Sequence, residues 1–515
     1  MQVEDFLESS AERLPNKVAL VCGDQRVTYA EINMRANRLA WGLQELGVVR
    51  GDRVAICLEN SIDCVVAMFA ALKSNGVFLV LNPTTKAEKL AYILNNSGAK
   101  LLVTAPRKLQ EIDSLLPQLQ QLAAVVLAAR VSEVPNERDM PTHTLDELVE
   151  RHAGEKDGPP KEAIDIDLAA LVYTSGSTGN PKGVMLTHLN IVSAATSITS
   201  YLKNREDDII LNVLPLSFDY GLYQVLMAFK FGGTVVLERS MAYPFVLIQK
   251  LVDEKITGFP IVPTILSILL KLDLSKYDLS HLRYVSNTGA ALPVAHILRL
   301  RELFPNVQIY SMYGLTECKR VAYLSPELVD ERPDSVGKAM PNVEVYVVDE
   351  QGQRLPPGST GQLVIRGSNV MKGYWELPEE TEKMLKPGPL PGEKILYSGD
   401  LFRIDEEGFL YFKGRLDDII KSRGEKVSPK EVENVLYSLD GIVDAAVIGV
   451  DDPLLGQAIK AFVTILDGRD LSEKRILQYC SEHLEDFMVP KFVQICPELP
   501  KNPSGKIDKK QLQGL

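Results

Sequence analysis

The chain has 515 residues, 45% hydrophobic and 24% charged, with 68 acidic against 56 basic residues and a formal charge of -12. That length allows about three domains, with one large composite domain as the competing count, and the composition excludes wholesale disorder and fibrous repeats. The 35 Gly and 30 Pro follow no period, which excludes a collagen-like chain, and the acidic balance argues against a dedicated nucleic-acid binder.

The N-terminus, MQVEDFLESSAERLPNK, carries acids early and no apolar h-region, so no signal peptide is expected. Residues 5–46 read as two amphipathic helices around one short strand in VALVCGDQRVTY, and Gly47 suits a helix C-terminal cap. A strand is expected at 53–58, a helix at 62–73, a strand at 77–81, a helix at 86–96 and a strand at 100–104. This alternation indicates a parallel sheet with helices on its faces. Residues 133–162 are polar and read as a surface connection. The pattern resumes with a strand at 168–173, a glycine loop and a helix at 188–202, and further β/α units run to about residue 310. After Gly337, VEVYVVDEQGQRLPPGSTGQLVIRG alternates apolar and polar residues between turn signals, which suggests antiparallel strands in a barrel-like subdomain. The last hundred or so residues read as a compact unit with helices at 429–436 and 473–483, a strand at 443–450 and a polar tail. The apolar stretch at 259–270 holds two prolines and is too short to span a bilayer. Six cysteines show no CxxC and no metal-like spacing with the six histidines. They read as free thiols, and a cytoplasmic location is expected.

The most informative segment is YTSGSTGNPKG at 173–183, in which eight of eleven residues are Gly, Ser, Thr or Lys. Read as a loop joining a strand to a helix, it presents several backbone N–H groups, hydroxyls and the Lys182 charge to one polyphosphate. The spacing is neither that of a Walker A loop nor GxGxxG.

With this loop, the sequence resembles the adenylate-forming enzymes: acyl-CoA synthetases, aryl-CoA ligases, luciferases and the adenylation domains of nonribosomal peptide synthetases. Four further segments and a C-terminal one carry the resemblance: YGLTE at 313–317, YSGD at 397–400, GRLDD at 414–418, KSRG at 421–424 and NPSGK at 502–506. It implies an α/β fold. A large N-terminal domain, 1–416, would hold two βαβ-type subdomains and a small β-barrel, and a mobile α+β C-terminal domain, 417–515, would hinge at Asp417. It implies ATP and Mg²⁺. Thr174, Ser175, Gly176, Ser177, Thr178, Gly179 and Lys182 would cover the phosphates, and Glu317 would hold the metal, a hard ion that takes oxygen ligands. Thr316 would touch the α-phosphate. Asp400 would accept from the ribose hydroxyls, and Arg415 would reach the ribose or phosphates. Gly289, Ala290 and Ala291, with Tyr313 and Gly314, would flank the base. Lys506 would bridge the acid and the α-phosphate, and Gly424 would lie at the thiol tunnel.

The segment LPLSFDYG at 214–221 bears on the acid. An ionised carboxylate in a desolvated acyl pocket is unfavourable by several kcal/mol unless paired. Asp219 after Phe218 therefore argues for a cationic substrate nitrogen, the alternative being a polar neighbour or a helix cap. By family pattern the pocket draws on Phe218, Asp219, Tyr220, Tyr223, Pro260, Ser286, Thr288, Met312 and Val321. This pattern looks closest to stand-alone ligases that load L-proline onto a separate carrier protein. Arg320 departs from the small or apolar residue usual there, and either points away or binds a second acidic group. The competing expectations are an acyl- or aryl-CoA ligase acting with coenzyme A, and a catalytically silent nucleotide sensor. No carrier domain is expected after residue 515, and neither a nucleic-acid nor a membrane partner.

Overall fold

Short runs that are apolar at every residue alternate with helices that have one apolar face, and this pattern builds the structure. The computed structural model of the protein describes residues 1–129, 140–174, 180–239, 243–270, 272–289, 292–422, 425–452, 456–466, 468–469, 471–502 and 505–513. They fall into two units. The first is Met1–Phe259 with Leu315–Arg320 and Gly367–Leu385, and the second is Pro260–Gly314 with Val321–Arg366 and Lys386–Leu515.

In the first unit the strands Val77–Val80, Arg53–Cys57, Ala99–Thr104 and Ala124–Leu127 lie side by side and pair in parallel, with Val54 opposite both Phe78 and Leu101. Two of them, Val77–Val80 and Ala124–Leu127, are buried at every residue, as parallel strands covered on both faces must be. The helix Ile62–Lys73 is buried at every residue but Asp63, and the Ser61 hydroxyl caps it by accepting from the Cys64 N–H. A second group of strands in this unit comprises Val18–Cys22, Thr234–Leu237 and Ile209–Asn212, again paired in parallel.

Three local expectations are corrected. VALVCGDQRVTY is a hairpin of Val18–Cys22 and Gln25–Thr28, turned at Gly23 (φ +58°), and not one strand. Within 133–162, Thr142–Thr144 forms a strand and Leu145–Arg151 a helix. Thr144 and Glu147 close a capping box there, and Leu145 and Leu148 are buried, a T-x-x-E signal that the polar composition masked. The glycine loop follows the strand Leu168–Thr174 but leads into the antiparallel strand Lys182–Thr187, with Thr174 opposite Lys182, and the helix His188–Tyr201 begins only afterwards.

In the second unit Tyr284–Asn287 and Gln308–Tyr313 pair in parallel, and Ala322–Tyr323 and Lys338–Ala339 extend from them antiparallel. Gly337 (φ +81°) is required here, because a Cβ on it would lie 1.8 Å from the Tyr323 carbonyl oxygen. The segment expected to hold antiparallel strands contains Val343–Val348 and Thr360–Gly367, and the latter pairs antiparallel with Lys394–Ile404, which pairs in turn with Leu410–Arg415. Near the C-terminus, Ile442–Asp452 pairs with Gly456–Ile465, a strand absent from the sequence reading, as is Phe492–Ile495. Gly456–Ile465 lacks a clean alternation because both its faces are covered. Ile459, Ala461 and Val463 pack with Val432 and Leu436, and Phe462 packs with Leu499 and Leu512 of the tail. The α/β class expected from the sequence is the one observed. All six cysteines are free, and no described helix is long and apolar enough to cross a membrane.

The helix Asp219–Phe231 starts in contact with the preceding segment, and Gly221 makes that possible. A Cβ there would sit 2.4 Å from the Pro215 carbonyl oxygen and 2.7 Å from that of Leu214. Gly221→Ala is therefore expected to lose about 1–3 kcal/mol of stability in urea unfolding through overpacking. Gly154→Ala, with nothing within 4 Å, should leave the midpoint nearly unchanged.

Candidate active site

The functional side chains fall into clusters, each within one unit. Ser175, Gly176, Ser177, Thr178 and Gly179 lie outside the described residues, as do Ala290, Ala291 and Gly424. What the first unit fixes is the rim of the glycine loop. Thr174 ends one strand and Lys182 starts the next. The Lys182 ammonium donates to Glu380 Oε2 at 2.5 Å and stands 5.5 Å from the Tyr374 ring centroid. Hydrogen bonds from Lys182 and then Lys383 hold the Glu380 carboxyl down to about 2. A cleft of about 450 Å³ opens beside Lys182, lined also by Tyr92, Asn180, Pro181, Glu376 and Glu380.

Thr316 and Glu317 sit in a turn whose backbone is fastened from one direction. Met371 N–H donates to the Glu317 carbonyl at 2.7 Å, and the Asn369 side chain donates to the carbonyls of Cys318 at 2.7 Å and Arg320 at 2.9 Å. The Glu317 carboxylate accepts from the Tyr374 hydroxyl at 2.7 Å. Among the described residues no cluster of three or more acidic, His or Cys side chains is arranged to hold a metal. A lone carboxylate of this kind fits Mg²⁺, which keeps waters and takes its remaining ligands from substrate phosphates.

The turn continues into a buried charge cluster. Lys319, left-handed at φ +70° and 2% exposed, aims its ammonium at Asp219 in the first turn of Asp219–Phe231. Its Nζ is 3.2 Å from Asp219 Oδ2, donates to the Asp219 carbonyl, and lies 4.1 Å from the Tyr223 ring centroid. Burial pushes the Lys319 ammonium down to about 7, against the pull of Asp219. Arg320, also 2% exposed, lays its guanidinium 4.6 Å from the Tyr220 ring centroid, with Nη1 at 3.3 Å from the Lys319 carbonyl. Phe218 meets Tyr220 edge to face at 6.4 Å between centroids. Asp219, Tyr220 and Tyr223 stand in the first turns of one helix, and the cation against Asp219 is Lys319. Lys319 stands two residues after the YGLTE segment at 313–317. The available signal was charge complementarity, two adjacent cations facing one lone acid. Asn369, Tyr374 and Glu380 lie in segments that carry no comparable local signature.

In the second unit, Asp400 accepts from the Tyr313 hydroxyl at 2.5 Å and pairs with Arg415 Nε at 3.3 Å. Tyr313 packs on Phe402 and Phe412 at 4.6 and 6.4 Å between centroids. An aromatic ring beside a two-oxygen acceptor is a donor set that fits a base and a ribose diol. Gly289 is left-handed at φ +86°, and Gly314 follows the strand end at Tyr313. Pro260, Ser286, Thr288, Met312 and Val321 are all buried. The Thr288 hydroxyl finds no hydrogen-bond partner among the described residues. Asp417 lies in the exposed turn Leu416–Asp418. Lys506 is half-buried next to the Lys501–Ile507 bridge, with its N–H donating to Asn502 Oδ1 at 3.0 Å.

A model of the AMP-binding enzyme family matches residues 7–375, and one of the AMP-binding enzyme C-terminal domain matches residues 431–506. Feruloyl-CoA synthase of Amycolatopsis sp is 33% identical, over 98% of this chain and 96% of that protein. Gramicidin S synthase 2 of Brevibacillus brevis is 30% identical over 99% of this chain, which spans only 11% of that protein's length. Among solved structures, O-succinylbenzoate coenzyme A synthetase from Bacillus subtilis, in complex with ATP and magnesium ion, superposes with a TM-score of 0.82 at 29% identity over 98% of both chains.

Removing one partner of a buried ion pair strands the other. Asp219→Ala is expected to lower stability by about 3–5 kcal/mol in urea unfolding, because Lys319 is then left without its carboxylate. The double variant Asp219→Leu with Lys319→Met should recover most of that loss. Equal loss in the single and double variants would contradict the pairing.

Proposed function

The chain belongs to the AMP-binding enzyme family, and within it we propose a ligase that joins a carboxylic acid lacking an α-ammonium group to a thiol by way of an acyl adenylate. The Asp219–Lys319 ion pair carries this reading. A carboxylate already neutralised by a lysine of its own chain offers a substrate ammonium far less than a bare one would.

The chemistry begins with two groups that repel. A carboxylate oxygen attacks the α-phosphorus of ATP, the bond to the bridging oxygen breaks, and pyrophosphate leaves. A thiolate then attacks the acyl carbonyl, and AMP leaves. Catalysis here is positioning plus neutralisation of charge. In this reading Lys182 and the loop 174–179 receive the β- and γ-phosphates once Glu380 yields the ammonium. Thr316 touches the α-phosphate. Glu317 holds Mg²⁺, which when bound draws charge off the phosphate oxygens. Asp400 and Arg415 hold the ribose, while Tyr313 and residues 289–291 flank the base. Lys506 bridges the acid and the α-phosphate, where its charge counts most in the transition state. The domains 1–416 and 417–515 rotate about Asp417 between the half-reactions and bring Gly424 toward the thiol. The acceptor is coenzyme A, as in the name of the feruloyl-CoA synthase relative.

A second reading is the activation of a small amino acid, L-proline first, for a separate carrier protein. It is favoured by Asp219 standing in the first turn of its helix among Tyr220 and Tyr223, and by the similarity to gramicidin S synthase 2. It requires the Lys319 ammonium to give way to the substrate's.

ATP–pyrophosphate exchange over a panel of carboxylic and amino acids separates the two. The expected result is exchange with acids that lack an ammonium group and none with L-proline. Proline-dependent exchange that disappears in Asp219→Asn would reverse the choice. Lys506→Ala should lower the adenylation rate by about 100-fold or more, with ATP affinity much less affected. An equal loss in both would remove Lys506 from its assigned role.

A further inference from the structure

We propose that the acid activated by this chain carries a second carboxylate at its far end, and that Arg320 receives it. This deepens the reading of the chain as a ligase for acids without an α-ammonium group and rests on it.

The observations concern charge and hydrogen bonding at one buried place. Lys319 and Arg320 are each 2% exposed, and the carboxylate of Asp219 pairs with Lys319. Glu317, three residues before Arg320, turns its carboxylate to the Tyr374 hydroxyl. A guanidinium, unlike a lysine ammonium, does not shed its charge on burial. Its Nε has no hydrogen-bond partner among the described residues. A buried guanidinium donor left unpaired is strongly unfavourable, and an acceptor on a bound acid would complete it.

The guanidinium is also held in place. It stacks over Tyr220, its carbonyl is bonded by Asn369, and the residue before it is kept in a left-handed conformation that a lysine seldom adopts. A planar, preorganised fork of N–H donors is the natural partner of a carboxylate, which it binds through two parallel hydrogen bonds. The same fastened turn carries Glu317 and Thr316, so a short diacid could place one carboxylate for activation and the other at Arg320.

The test uses the full chain and its Arg320→Gln and Arg320→Lys variants. Each is assayed by ATP–pyrophosphate exchange and by thermal melting. The probes are the straight-chain α,ω-dicarboxylates of three to eight carbons and the benzene dicarboxylates, each beside its monomethyl ester. The expected result is at least one diacid whose kcat/KM exceeds that of its half-ester by about 100-fold. That preference, and the melting shift the diacid produces, should be lost in Arg320→Gln and weakened in Arg320→Lys, which keeps the charge but not the fork. Arg320→Lys also serves as the measurement if Arg320→Gln fails to fold. Half-esters or monocarboxylic acids used as well as diacids would overturn the inference while leaving the acid-ligase reading intact. So would a preference that survives in both variants, or a panel in which no diacid gives either exchange or a melting shift. Exchange with L-proline alone would overturn the acid-ligase reading itself.

Discussion

The buried pair of Asp219 and Lys319 is the constraint around which the first unit's pocket residues are organised. Two opposite charges taken out of water attract strongly only if their geometry is held, and here the fold holds it from both sides. Asp219 is fixed by a helix that starts tight against Leu214 and Pro215, an approach only Gly221 permits. Lys319 is fixed by a turn whose carbonyls are bonded to Asn369 and whose own backbone is left-handed. Tyr223 lies under the ammonium and Tyr220 beneath the neighbouring guanidinium, so the aromatic faces supply part of the solvation that water would have given.

A related logic governs the rim of the glycine loop. Lys182 and Glu317 are drawn to the same short segment, Lys182 to Glu380 and the face of Tyr374, Glu317 to the hydroxyl of Tyr374. A cation and an anion at this rim are thereby each given an internal partner. Glu380 lies in the first turn of the helix Pro378–Met384, where the helix dipole favours an acid. Under the proposed function, a triphosphate, which carries more charge than one carboxylate, takes the Lys182 ammonium from Glu380, and the helix dipole still favours the freed acid.

Much of this was legible in the sequence and some was not, for identifiable reasons. The alternation of buried strands with helices is written in runs such as VFLV and AVVL, whose every residue is apolar because both sheet faces are covered. Ile62–Lys73 could be bounded to the residue because Ser61 is a strong cap and the helix is apolar throughout. Gly456–Ile465 escaped because covering both faces of a strand that carries Lys460 and Thr464 removes the alternation on which recognition depends. At the site, Asp219 was found because an acid in an apolar segment stands out. Its partner was missed because pairing is a property of two distant segments, 214–221 and 313–321, and no periodicity in either one reports it. The same blindness applies to Asn369 and Tyr374, whose roles exist only through the turn they fasten.

The setting of the glycine loop alters how an anion can be held there. Had the loop opened directly onto a helix, the helix dipole and its unpaired N–H groups would have supplied part of the positive field. Strand Lys182–Thr187 intervenes instead, and its backbone groups are spent on pairing with Leu168–Thr174 and with Gly373–Tyr374. Strands lend almost no net dipole. The favourable field at this rim must then come from side-chain charge and from whatever N–H groups the loop turns outward. That shifts weight onto Lys182, the cation at the loop's foot, whose counter-charge is the partly exposed Glu380.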